Sequence, residues 1–147
     1  APYENKIGGS GAGLYIGGSS SVTLEDITIE NNTAEVYRGG GICIENSTLI
    51  MDNAAIQNNK GGNYGGGFSA WFSDITIKGN SVITNNQATE ANGQGGGIYL
   101  HHSSVNFQDN TDLSGNTVTI QGAKIYSVQS TINGSGNIDN SSGVVLD

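Results

Sequence analysis

The chain has 147 residues, 24 of them glycine and one proline, with five basic and 13 acidic side chains giving a formal net charge of −8. That length bounds one domain, and so few basic residues exclude the electrostatic footprint that nucleic acid requires. No apolar run is long enough to cross a bilayer as a helix, so no transmembrane span is expected.

Residues 1–10 read as the tail of a coil, since Asn5-Lys6-Ile7-Gly8-Gly9 is similar to Asn59-Lys60-Gly61-Gly62-Asn63. A repeat then begins at Gly11 and restarts at Gly39, Gly65, Gly95 and Gly122, with steps of 28, 26, 30 and 27 residues. Each restart opens an alternating apolar run: Leu14/Ile16, Ile42/Ile44, Phe68/Ala70, Ile98/Leu100 and Ile125 with Ser127. A serine follows in every copy (Ser20, Ser47, Ser73, Ser103, Ser130), and a second alternating run starts just beyond it. A third run closes on asparagine at Asn32, Asn59, Asn86 and Asn116, while the fifth copy keeps only Ile138 and Asn140. Gly143-Val144-Val145-Leu146 resembles Gly41-Ile42-Cys43-Ile44, so the chain reads as stopping inside a further coil.

From first glycine to closing asparagine the unit spans 21, 20, 21 and 21 residues, while the segment up to the next glycine holds 6, 5, 8 and 5. The core of the unit is therefore nearly fixed and one surface connection absorbs the variation. Period-2 runs with abundant glycine argue for short strands and against helix. One unit cannot bury its own apolar side, so units must stack. The expected fold is all-β: a right-handed parallel β-helix of about five coils of 26–30 residues, three short strands each, with partial coils at both ends. At the spacing of paired strands, five coils form a rod on the order of 25 Å long.

Polar columns accompany the apolar ones. The serines mark one corner and the closing asparagines another; Asp26, Asn53, Asn80 and Asn110, six residues before each closing asparagine, mark a third. Asn and Asp tolerate left-handed backbone and can bond along the stacking axis. Cys43, the one cysteine, allows no internal disulfide, and its place between Ile42 and Ile44 predicts an outward, surface thiol.

Candidate sites are few. Tyr15, Tyr99 and Tyr126 fall on outward positions of the first run, with Trp71 two places further along, and such a row could act as a carbohydrate platform. His101-His102 predicts a solvated pair pointing to opposite faces rather than a metal site. The acidic residues Asp26, Asp52, Asp109 and Asp112 do not form an unbroken calcium column. Asn-x-Ser/Thr sequons at Asn31, Asn46, Asn133 and Asn140 are candidate glycosylation positions. For catalysis, Arg38 is the sole arginine and the four lysines do not cluster in register, so neither paired carboxylates nor an activated nucleophile is signalled. No catalytic, metal or cofactor site is expected.

The Gly-Gly-x-Ile starts (Gly39-Gly40-Gly41-Ile42, Gly95-Gly96-Gly97-Ile98) and the closes Ile56-Gln57-Asn58-Asn59 and Ile83-Thr84-Asn85-Asn86 resemble the repeats of polymorphic outer membrane proteins and kindred autotransporter passengers. Ile or Leu stands where that family prefers Phe. The resemblance implies a right-handed β-helix displayed outside the cell, adhesive or structural, with no catalytic residues to carry over. Low charge and abundant Asn, Ser and Thr point the same way, to an extracellular or cell-surface location. The expected function is a non-enzymatic structural or adhesive solenoid, self-associating through uncapped coil ends into filaments. The alternatives are an adhesin passenger segment with a carbohydrate or cell-surface ligand, and a carbohydrate-active β-helix.

Overall fold

In a computed structural model, residues 11–134 and 144–146 are described. Among them every element is a strand, and every strand pairing is parallel. The chain winds as a solenoid whose coils start at Gly11, Gly39, Gly65, Gly95 and Gly122, all five with positive φ. Four turns are complete, and the fifth is described as far as Gly134. A side chain at Gly39 would run into the carbonyl of Ile42, so the bend into the first strand requires glycine.

The first sheet stacks Leu14–Ile16, Ile42–Glu45, Phe68–Trp71, Ile98–His101, Ile125–Val128 and Val144–Leu146. The second stacks Ser21–Glu25, Thr48–Asp52, Asp74–Lys78, Ser104–Phe107 and Thr131–Gly134. The third stacks Thr28–Glu30, Ala55–Gln57 and Val82–Thr84. To these three faces the structure adds a short fourth, Lys60–Gly61, Gln87–Ala88 and Thr117–Val118, in the connection that the sequence reads as loop. Val144–Leu146 pairs with Ile125–Ser127 as its likeness to the earlier starts predicts. Residues 1–10, Ile138 and Asn140 lie outside the described residues.

Register is strict, with like over like: Leu14, Ile42, Phe68, Ile98 and Ile125 form one column, and Leu49, Ile75 and Val105 belong to another. These side chains fill the interior, most of them wholly buried. Burying each large aliphatic one contributes about 1.5–3 kcal/mol. The alternation that sorts residues to inside and outside thus becomes one continuous core along the axis.

Buried polar groups at two corners are satisfied by axial ladders. Asn32, Asn59 and Asn86 each donate both backbone N–H and side-chain Nδ2 to Oδ1 of the asparagine in the next coil, at 2.9–3.1 Å. Asn59, Asn86 and Asn116 also donate Nδ2 backward, to the carbonyls of Ile29, Ile56 and Ile83. At the other corner, the backbone N–H of Ser20, Ser47, Ser73 and Ser103 donates to Oγ of the next serine at 2.9–3.1 Å. From Ser47 onward each hydroxyl donates to the carbonyl two residues back.

The left-handed residues are not the ladder residues but those immediately before them. Asn31, Asn58, Asn85 and Gly115 precede the asparagines; Ser19, Asn46, Phe72, His102 and Gln129 precede the serines. At the third corner the expected column needs correction. Asp26 and Asn53 have positive φ, but Gly79 takes that role in the third coil, because three residues separate Lys78 from Val82 where two separate Asp52 from Ala55. Asn80 instead donates its N–H to Asn53 Oδ1 at 2.9 Å, and Gly79 N–H is accepted by Asp109 Oδ2 at 2.7 Å rather than by Asn110.

Candidate functional site on the outer face of the first sheet

Arg38, Tyr64, Gln94 and Gln121 each stand one residue before a coil-start glycine, and they bridge to one another in parallel along the axis. This places the Arg38 and Tyr64 side chains over the outer face of the first sheet. Arg38 reaches Glu45 Oε1 at 2.6 Å, and its guanidinium lies 3.7 Å from the centre of the Trp71 ring. Tyr15 donates its hydroxyl to Glu45 Oε2 at 2.9 Å. That bond, with some burial and the Glu45 charge, raises the Tyr15 pKa from its ordinary value. Both Glu45 oxygens are therefore engaged.

His101 stacks on Trp71 with ring centres 4.5 Å apart, and Tyr64 meets Trp71 edge-on at 5.7 Å and Tyr99 at 4.7 Å. Burial pushes the His101 pKa down, and His102 and Arg38 push it the same way. The two histidines do not point to opposite faces. The left-handed backbone at His102 breaks the alternation and brings the rings to 4.4 Å, edge to face. His102 lies parallel under Phe72, 5.1 Å away with the planes 3° apart. A groove of about 290 Å³ opens between Arg38, Glu45, Asn46, Trp71, Phe72 and His101.

The structure corrects the carbohydrate row. Tyr99 and Tyr126 stack in parallel, 5.8 Å apart, but both are buried. Trp71 is half-buried beneath Arg38, with His101 against it, and Tyr15 alone of the four is exposed. Cys43 does lie on the outward register, but it is fully buried, with Glu45 Oε1 4.0 Å from its sulfur. Over Trp71 and Tyr99 the cover comes from Arg38 and Tyr64, residues that precede coil-start glycines and fold back over this face. Their repeated phase was the available signal. Among the described residues Tyr15, Tyr37 and Phe72 are the exposed aromatics, and Phe72, 56% exposed, also sits at φ 51°, a backbone region bulky side chains avoid.

The remaining candidates are dispersed. Asn31, Asn46 and Asn133 are exposed, and Asn140 lies outside the described residues. Asp52 pairs with Lys78 at 3.3 Å and Asp109 accepts from Gly79. Among the described residues no cluster of three or more His, Cys, Asp or Glu side chains could hold a metal ion, and no helix is long and apolar enough to cross a membrane.

In-register parallel coils with axial polar ladders define a β-solenoid. The chain belongs to the right-handed β-helix family: residues 3–142 match the family model described as a right-handed beta helix region. Searches of curated proteins and of solved structures found no match.

Proposed function

We propose that the chain is a non-enzymatic, extracellular β-solenoid that serves as a stiff structural or adhesive module at the cell surface. The observation that carries this reading is the commitment of the buried asparagines and serines to ladders along the axis, coil after coil. Such ladders oppose bending and sliding of one coil on another. The outer face of the first sheet supports the adhesive part: it presents exposed Tyr15 and Phe72 around a cross-braced Arg38–Glu45–Trp71 core. The same parallel pairing could continue between copies, so coil-on-coil self-association belongs to the proposal.

The test is localisation and shape. Antibody against the chain should label intact cells, and negative-stain images should show rods or filaments. Incubation with acidic and neutral polysaccharides should release no new reducing ends or unsaturated sugars. Exclusively intracellular labelling, or depolymerisation of a polysaccharide, would overturn the reading.

A further inference from the structure

Phe72 raises a question that its neighbours do not. It occupies a left-handed corner slot shared with Ser19, Asn46, His102 and Gln129 in the other coils. Left-handed backbone is uncommon for any residue but glycine and is an outlier for a bulky one. The ring gains no core burial in return, since it remains 56% exposed with one face on His102. Strain held at an exposed aromatic points to a contact outside the coil.

The neighbouring coil supplies a candidate for that contact. Glu45 and Trp71 are paired in register, so Asn46 and Phe72 follow in the same slot of adjacent coils, one strand spacing apart. Asn46 N–H donates to the Trp71 carbonyl at 3.0 Å and Phe72 N–H to that of His101 at 3.0 Å. Asn46 opens the sequon Asn46-Ser47-Thr48, and both Asn46 and Thr48 are exposed. Asn46 and Phe72 line the two grooves on either side of this corner. The other described sequons lack such a neighbour. Asn31 shares its slot with Asn58, Asn85 and Gly115, and Asn133 pairs with Asn106.

We propose that Asn46 carries an N-linked glycan and that Phe72 is the bed on which its first sugar lies. The proposal rests on the extracellular reading. A pyranose has an apolar face of C–H groups that stacks on an aromatic ring, and its hydroxyls can meet the polar groove walls. The glycan covers the exposed face of Phe72, and the stack holds the glycan against the corner.

Peptide mapping of the chain purified from its native source tests the attachment. The peptide spanning Asn46 and Thr48 should carry a saccharide mass that an amidase removes while converting Asn46 to Asp. Thermal unfolding of the secreted chain tests the bed. Removing the glycan should lower Tm by about 2–4 °C in the parent, and that difference should vanish in Phe72→Asn, which keeps the left-handed corner. An unmodified Asn46 peptide overturns the proposal, as does a Tm difference that persists in Phe72→Asn. Specific binding of a free saccharide to Phe72 of the unmodified chain also overturns it, by giving the ring to an external ligand. Surface labelling of intact cells reports separately on the extracellular reading, so failure of one is distinguishable from failure of the other.

Discussion

Asn86→Ala removes the centre of the asparagine ladder. Asn86 is fully buried; its Oδ1 accepts from Asn59 N–H at 3.0 Å and Asn59 Nδ2 at 3.1 Å, and its Nδ2 donates to Ile56 O at 2.9 Å and Asn116 Oδ1 at 3.1 Å. Truncation leaves the Asn59 backbone N–H and one Asn59 amide hydrogen without their acceptor, and takes a donor from the Ile56 carbonyl. Each orphaned buried group costs about 1–3 kcal/mol, and partial relaxation lowers the sum, so we expect a loss of about 3–5 kcal/mol. For a chain of this length that is a fall in Tm of roughly 10 °C or more. The control is Asn85→Gly, at the exposed left-handed position next door (φ 55°), where glycine adopts the same backbone freely and the change should stay within about 0.5 kcal/mol. Urea unfolding followed by circular dichroism measures both variants. If Asn86→Ala unfolds at the same midpoint as Asn85→Gly, the ladder contributes little and the reasoning fails.

Three further outcomes follow from the same geometry. Gly39→Ala should destabilise by more than about 2 kcal/mol, because a methyl there meets the Ile42 carbonyl and the backbone is left-handed; loss of the folded signal at a lower urea concentration checks this. Cys43 should resist an aromatic disulfide reagent in the native protein and react at once in denaturant, since it is fully buried; rapid native labelling would contradict its placement. His101 binds a proton less readily folded than unfolded, mainly through burial. The unfolded chain therefore takes up more protons as pH falls below about 6.5, the ordinary histidine value, and stability should decline there. His101→Gln should flatten that acid-side decline in a Tm–pH profile, and an unchanged slope would remove His101 as its source.

The coil and its columns were legible because one period repeats across the chain. Leu14, Ile42, Phe68, Ile98 and Ile125 could be aligned by counting, and they do stack. The serine and asparagine columns were legible for the same reason. The left-handed residues were half legible: the doubled asparagines at 31–32, 58–59 and 85–86 held the signal, but the conformation belongs to the first of each pair. At the serine corner the equivalent slot holds Ser, Asn, Phe, His and Gln, so chemistry gave no common mark and Phe72 went unnoticed. The failures at Cys43, Tyr99 and Tyr126 have a different origin. Strand alternation decides which side a residue faces; it does not decide whether that side is covered, as Tyr64 covers Tyr99, Tyr99 stacks on Tyr126 and Glu45 approaches Cys43 here.

The hydrogen bonds that link one asparagine of the column to the next all run in one sense, although each amide also donates back to a carbonyl of the preceding coil. In each linked pair the backbone N–H and an amide hydrogen come from the lower coil and the receiving oxygen from the upper one. Along the described coils the column is therefore directional, its asparagine oxygens turned to the preceding coil and its backbone N–H groups to the following one. Two such columns meeting in opposite senses would oppose like groups, whereas the same sense would repeat the internal contact. A joint that continued this column between copies would therefore be polar and heterologous, with no two-fold axis across it.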